Sequence, residues 1–294
     1  MRTKKYKRHF LSDEELRTVQ LIELEMLIEV DRICKKCNIK YNIIAGTALG
    51  AVRHGGFIPW DDDADIALLR SEYEKFKEAC KTELDTSRFY FQDHNTTKGY
   101  RWGYGKIRRK GTKFIRQNQE HMPYSQGVFI DIFPLDAVPD TKILQPPHNL
   151  ICFLFRKAFY SKVGRLDSSG LARLAYDFLY LIPDEKLYGA YDCFIKFTNI
   201  NKNSKRMRKL SFPLLGSKEH YGYLRKWYTD LGEIEFEGYT FPVMKDLDGY
   251  LTQKYGDYMT LPDESGRKVH PVTGLKLIDK GVGNGSNFGD CSGI

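Results

Sequence analysis

The sequence predicts an α+β protein, and three observations carry the prediction. In the first 140 residues, amphipathic helical patterns are interspersed with short apolar runs that read as strands. From about 140 to 230 the periodicity turns helical, in NLICFLFRKAFYSKV, SGLARLAYDFLYLI and DEKLYGAYDCFIKFTNI. From about 232 onward, short strand-like runs return around a helical stretch near Lys245 to Tyr255. A chain of 294 residues, 41% hydrophobic and 29% charged, has the composition of a soluble globular protein. It is long enough for one large domain or two small ones.

Taken in order, Ser12-Asp13-Glu14-Glu15 is a capping box. Val19, Ile22, Met26, Leu27, Val30 and Ile33 then recur at helical spacing, which predicts a helix to about Cys37. Lys40 to Ala45 reads as a short strand broken by Gly46-Thr47, with a short helix in TALGAVRH. Gly55-Gly56 and Pro59 mark a loop, and Ala64 to Leu69 reads as the next strand. Residues from Ser71 read as a helix with that serine as its cap. Residues 88–118 read as strands and loops around a basic stretch, and Gln126 to Phe133 as a strand ending at Pro134. NKNSKRMRK at 201–209 is a basic run, and the glycine-rich end, GVGNGSNFGDCSGI, reads as a flexible tail.

The net charge of +8 points to anionic partners: phosphorylated substrates, anionic lipid headgroups or nucleic acid. No apolar run is long enough for a membrane-spanning helix, and the basic N-terminus lacks the apolar region of a signal peptide, so a cytoplasmic location is expected. Six scattered cysteines fit that expectation. Cys34 and Cys37 form a CxxC inside a helical pattern with no second pair at metal-ligand spacing, which favours reduced structural thiols.

The segment PWDDDADI, residues 59–66, carries the chemistry. Strand alternation puts Asp63 and Asp65 on one face, with Asp61 on the same side if the chain is already extended there. Asp131 lies within the apolar run FIDIF, an expensive place for a lone carboxylate. Pairing the two strands would set Asp131 beside Asp63 and Asp65, and a divalent cation would relieve the repulsion. A strand followed by Gly46-Thr47 and a helix start exposes backbone N–H groups that suit phosphate oxygens. Phosphate donors on one side and carboxylates on the other suit metal-assisted phosphoryl transfer. The EF-hand spacing of glycine and distal glutamate is absent.

AGTALGAVRHGGFIPWDDDADIALLRSEYEKF and GVFIDIFPLDAVP resemble the two signature blocks of the LicD family. GYGKIRRKGT and YLTQKYGDYMTLPDESGRKVH also resemble family segments, so the likeness covers most of 15–140 and about 235–272. The resemblance implies a DNA polymerase β-like nucleotidyltransferase core, a small mixed sheet with helices, plus a helical insertion. On that reading, residues 1–280 form a single catalytic domain, with the core at about 12–140 and 232–280 and the insertion at about 141–231; 281–294 is the tail. Gly46 and Thr47 become the turn, Asp63 and Asp65 the DxD pair, and Asp131 the third carboxylate; all three aspartates are the implied catalytic and metal-binding residues, for Mg²⁺ or Mn²⁺. Ala64 stands where isoleucine or valine is common in the family.

Family members transfer phosphocholine from CDP-choline to sugars of bacterial surface glycans. Animal relatives similar to fukutin-related protein transfer ribitol phosphate, and no cluster matching their zinc site is evident here. The resemblance therefore implies transfer of a phospho-alcohol, phosphocholine foremost, from a CDP-activated donor to a glycan or teichoic-acid precursor, with CMP released. Implied partners are a CDP-alcohol and a glycan or lipid-linked sugar acceptor, with no nucleic acid.

Residues 98–118 hold Lys98, Arg101, Lys106, Arg108, Arg109, Lys110, Lys113 and Arg116 with no acid. Lys106 and Arg108 are the favoured diphosphate contacts, Arg53 and His54 follow the turn within reach of phosphate, and Arg267 and His270 are further candidates. A choline head needs an aromatic cage, for which Trp60, Trp102, Tyr104, Tyr100 and Phe133 are candidates. The middle helices pair aromatics with Lys and Arg, as a buried subdomain or as a surface for the inner face of an anionic membrane. Two other readings stand beside phospho-alcohol transfer: a nucleotidyltransferase moving NMP to a small molecule or RNA, and a non-catalytic glycan- or anion-binding module on the same scaffold.

Overall fold

A computed structural model of the chain describes residues 6–213, 220–263, 267 and 270–278. The glycine-rich end at 281–294 lies outside the described residues. The architecture is mixed α+β, with a curled mixed sheet, helices against it and a helical segment between two visits to the sheet.

Helix α1 (Asp13–Lys36) starts at the expected capping box: the Ser12 hydroxyl accepts from the Glu15 N–H, and the Glu15 carboxylate accepts from the Ser12 N–H. Its predicted apolar stripe is buried, together with Gln20, Glu23 and Glu29. Strand β1 (Asn42–Ile43) leads into helix α2 (Ala45–His54), which already includes Gly46 and Thr47. Ala45 opens it in the left-handed region at φ 53°, a strained junction for a residue with a Cβ. Gly55 closes it with φ 64°, where glycine alone is unstrained.

Strand β2 (Asp65–Leu69) runs directly into helix α3 (Arg70–Glu83). Ser71 is not the cap: it is the second helical residue, and Leu69 holds the cap position without a side-chain bond. Strands β3 (Phe89–Gln92), β4 (Gly105–Arg109), β5 (Lys113–Arg116) and β6 (Phe129–Ala137) follow. The sheet order is β1-β2-β6-β4-β3, with β2 and β6 parallel and the other neighbours antiparallel.

Strand β6 does not stop at Pro134 but runs through it to Ala137. The Asp131 N–H donates to Ala64 on the β2 side, so by alternation position 134 faces the other side. There β4 has already ended, its last pair being Gly105 with Ile132, so the missing proline N–H leaves no ladder bond unmade.

Helices α4 (Gln145–Asp167), α5 (Gly170–Tyr180) and α6 (Asp184–Thr198) form the helical segment with its own small core of Cys152, Phe159, Leu187, Tyr191 and Phe194. The basic run is not helical: β7 (Arg206–Arg208) pairs with the end of β6, and β8 (Tyr223–Leu224) pairs with β7. After a short helix α7 (Lys226–Thr229), strands β9 (Leu231–Phe236) and β10 (Tyr239–Met244) form a hairpin, followed by helix α8 (Leu247–Tyr255). Strand β11 (Val272–Lys276) pairs with β5, and Val272 also bridges His9. The main core joins α1, α2, α3, the sheet, the β9–β10 hairpin and α8.

Candidate active site

The parallel pairing of β2 with β6 sets Asp65 directly opposite Asp131. Asp63 precedes β2 and lines the same cavity as Asp131. This cavity, about 230 Å³, is also lined by Trp102, Tyr104, Lys106, Arg108 and Arg116. The strand pairing inferred from the apolar patterns thus brings the three aspartates to one end of β2 and β6.

The turn that precedes them is built to hold them. The Thr47 hydroxyl accepts from the Asp65 N–H at 2.8 Å, tying the first turn of α2 to the start of β2. A Cβ on Gly46 would lie 2.5 Å from Asp61 Oδ2, so only glycine lets that carboxylate sit against the helix start. Ligand atoms of Asp61, Asp62 and Asp63 lie within 4.8 Å of one another. Asp61 therefore joins the acidic group more closely than the DxD spacing alone suggests.

Each aspartate has a different electrostatic setting. Burial and the neighbouring Asp63 and Asp65 push Asp61 up to about 8. Burial and Asp63 push Asp65 up to about 7, with Asp131 adding to the rise and Lys209 opposing it. Burial also acts to raise Asp62, but Arg116 and His270 hold it below the usual carboxylate range. His270 Nδ1 lies 2.9 Å from Asp62 Oδ1, and Arg116 lies 3.4 Å from Asp62 and 3.5 Å from Asp63. Glu23, from the buried face of α1, is pushed well up by burial and by Asp63, Asp62 and Asp61. Its Oε2 and the Asp62 Oδ2 are buried without a hydrogen-bond partner. This concentration of carboxylates fits a divalent cation, which favours oxygen donors and removes their mutual repulsion.

Lys106 crosses from β4 to pair with Asp131, its ammonium over the Phe129 ring. Burial pulls it down to about 8 despite Asp131. Arg108 is buried and donates to the Gln92 side chain and the Gly127 carbonyl, so it braces the cavity wall as well as lining it. Arg53 donates to the Thr260 carbonyl at 2.7 Å, and His54 is exposed, edge-on to Trp60. Trp60 stacks under Arg267 and is not among the cavity residues. The aromatic residues lining the cavity are Trp102, Tyr104, Phe114, Phe129 and Phe212, and Phe133 packs against two of them, its ring centroid 4.7 Å from that of Tyr104 and 4.8 Å from that of Phe212. Tyr100 is buried beside Tyr124.

Several site residues escape a reading of local sequence. Lys209, in the basic run after the helices, lies over the Phe133 ring at 3.6 Å and faces Asp65, Asp131 and Asp63. Lys254 of α8 faces Asp65; burial and Lys209 bring it down to about 8. Glu23 did leave a signal, an acid on the apolar stripe of α1. Arg116 was one of eight cations in its stretch, with nothing local to single it out.

A second cavity of about 270 Å³ shares Trp102, Tyr104 and Phe212 with the first. Its remaining wall comes largely from α4 and α5, including Phe159, Tyr160 and Tyr176, with Arg156 and Lys157 among them.

The chain is similar to known proteins. Residues 38–159 match the family model described as LicD/FKTN/FKRP, nucleotidyltransferase domain. Over 277 residues the chain is 28% identical to the lipopolysaccharide cholinephosphotransferase LicD of Haemophilus influenzae, covering 87% of this chain and 96% of the relative. An uncharacterized protein of Rickettsia typhi is 36% identical over 74 residues, 23% of this chain and 24% of the relative. One of Rickettsia prowazekii is 40% identical over 68 residues, 21% and 26% of the two chains. The matched segment spans the Gly46-Thr47 turn, the acidic run and Asp131, and residues 38–159 of this chain are a LicD-family domain.

Proposed function

We propose that the chain transfers phosphocholine from CDP-choline to a hydroxyl of a cell-surface glycan, such as lipopolysaccharide or a teichoic-acid precursor, and releases CMP. The observation that carries this reading is one continuous arrangement: an acidic cluster at the Gly46-Thr47 turn, cations around it, and an aromatic cavity sharing its wall. The likeness to the Haemophilus influenzae enzyme, named for cholinephosphate transfer to lipopolysaccharide, supports the choice of group and acceptor. The same reading takes the core as a DNA polymerase β-like nucleotidyltransferase fold, in keeping with the description of the matched family.

Asp63 and Asp65, with Asp61 beside them, would hold Mg²⁺ or Mn²⁺, and the ion when bound would neutralise diphosphate charge. Arg116, Lys209 and Lys254 supply further positive charge around the same carboxylates. The N-terminal amides of α2 favour an anion by position and dipole. Trp102, Tyr104 and Phe212 receive the quaternary ammonium, which an aromatic face attracts at modest desolvation cost. Asp131, oriented by Lys106, accepts the proton of the acceptor hydroxyl. The hydroxyl oxygen bonds to the choline-bearing phosphorus, the bond from that phosphorus to the bridging oxygen breaks, and CMP leaves with the electron pair. Positioning and charge neutralisation supply most of the rate.

The test uses CDP-choline labelled separately in choline and in cytidine, with glycan acceptor and Mg²⁺, beside CDP-ribitol and CDP-glycerol. Choline label on the glycan and cytidine label in CMP is the expected result. Cytidine label on the acceptor would replace this reading with nucleotidyl transfer, and no turnover of any donor by folded protein would replace it with a binding role.

A further inference from the structure

Helix α5 is amphipathic with its apolar side turned to solvent. Leu171, Leu174, Phe178 and Leu181 follow one another at helical spacing and are 84, 64, 72 and 74% exposed. Tyr176, half a turn away on the wheel, is buried and lines the aromatic cavity. The helix therefore gives its aromatic side to the site and keeps a row of large apolar residues outside. Leu150, Phe153 and Leu154 of α4, the helix it packs against, are exposed as well. Scattered exposed leucines are ordinary, but a periodic row of this size on one helical hairpin marks an interaction surface.

We infer that this hairpin docks the protein on an anionic phospholipid surface, with α5 lying in the plane of the interface. Charge selects the occupant. Residues 141–205 hold ten Lys and Arg against five Asp and Glu, within a chain already at +8. A second copy meeting the same face symmetrically would bring two positive segments together, whereas an anionic bilayer attracts them. Length selects the mode. At 11 residues α5 is roughly 16 Å long, about half the hydrocarbon thickness it would have to cross. No helix among the described residues is long and apolar enough to cross a membrane, while a short helix with one exposed apolar face in a net-positive segment suits the interface. Because the opposite side of the same hairpin walls the aromatic cavity, docking would bring that cavity close to the bilayer. That last consequence rests on the proposed transfer to a surface glycan; the docking itself does not.

The experiment is vesicle flotation of the full chain with phosphatidylcholine alone and with phosphatidylcholine containing phosphatidylglycerol. The comparison protein is the double variant Leu174→Glu, Phe178→Glu, whose fold is checked by circular dichroism and thermal melting. The expected result is binding that requires phosphatidylglycerol, weakens with salt and falls at least tenfold in the variant. A second pair, Leu171→Ser with Leu181→Ser, should weaken binding without adding negative charge, separating apolar insertion from simple charge loss. Absence of flotation, or equal flotation by folded variants, overturns the proposal. So does a concentration-dependent dimer in sedimentation that the variant abolishes, since the apolar row would then be covered by a second copy. Flotation is read without turnover, so its outcome and that of the labelled-donor experiment are independent.

Discussion

The sheet end that carries the acidic cluster and the helical segment 145–198 use burial in opposite ways. At the sheet end, groups that prefer water are drawn inward: Glu23, Asp62, Lys106 and Arg108 are buried, and burial together with neighbouring carboxylates raises Asp61 and Asp65. In the helical segment, groups that avoid water are left outside, while only a small aromatic core is closed. Neither pattern is what folding stability alone would choose. The two proposals above rest on these departures: a cation and phosphate at the sheet end, a lipid surface at the helical segment.

The two regions meet at a buried ion pair. Asp136 of β6 is fully buried, accepts from Arg70 of α3 at 2.7 and 2.6 Å, and accepts from Asn199 after α6 at 2.8 Å. The contrast between the regions can be broken at each of these points.

The largest effect is expected at the carboxylates. Asp65→Asn or Asp63→Ala should lower turnover of a CDP-alcohol by about 10²–10³-fold or more, the scale of losing one charge-stabilising group. The fold should remain intact by circular dichroism, because removing one of several crowded acids relieves repulsion. Next comes the junction: Arg70→Met leaves the Asp136 carboxylate buried without its cation and should cost about 3–5 kcal/mol in urea unfolding.

The third effect is a pH dependence with opposite signs in the two regions. Asp61 and Asp65 hold protons in the folded chain up to about 8 and 7, which the unfolded chain releases near 3.8. Their contribution to stability is therefore present at low pH and lost as pH rises through 7 to 8. His148 of α4, bonded to the Tyr221 hydroxyl at 2.7 Å, is brought down to about 4 by burial and by Arg208, against 6.5 in the unfolded chain. Its contribution is present above 6.5 and lost as pH falls toward 4. Over pH 4 to 6.5 the two carboxylates outweigh the one histidine, so in EDTA stability should fall as pH rises from about 4 to 8, less steeply below 6.5. Mg²⁺ should raise stability more at pH 8 than at pH 4, Asp61→Asn should flatten the fall, and His148→Gln should steepen it below 6.5. A Mg²⁺ effect equal at pH 4 and pH 8 would break the assignment of the cluster as a cation site.

The smallest effect is expected on the outer row of α5. Phe178→Ser should change stability by no more than about 0.5 kcal/mol, since the side chain loses little burial on replacement. Tyr176→Ala, on the inner side of the same helix, should cost about 3 kcal/mol or more, as buried aromatic truncations do.

Local chemistry made part of this legible. The Ser12 capping box and the periodic stripe after it located α1, and Asp131 within an apolar run implied a strand beside Asp65, which the β2–β6 register shows. What remained hidden depends on contacts between residues far apart in the chain. Pro134 reads as a strand end until the neighbouring strand is seen to stop first. The basic run at 201–209 shows only its charge in the sequence, whereas in the fold Arg206–Arg208 pairs with β6 and Lys209 faces Asp65. Trp60 lies close in sequence to the acidic run yet stacks with Arg267, away from the cavity aromatics, because the loop after Gly55 carries it aside. The exposure of the α5 row was equally hidden, since a helical period predicts two faces without saying which one is buried.

The most direct test of metal-assisted transfer at Asp63 and Asp65 is CMP release from CDP-choline with glycan acceptor, measured in Mg²⁺ and in EDTA. Wild-type protein, Asp63→Asn and Asp131→Asn would be compared, each with its melting temperature. The expected result is Mg²⁺-dependent release by the wild type, loss of release in both variants, and Mg²⁺ stabilisation that Asp63→Asn weakens. Release that persists in EDTA, or that survives Asp63→Asn, would contradict it.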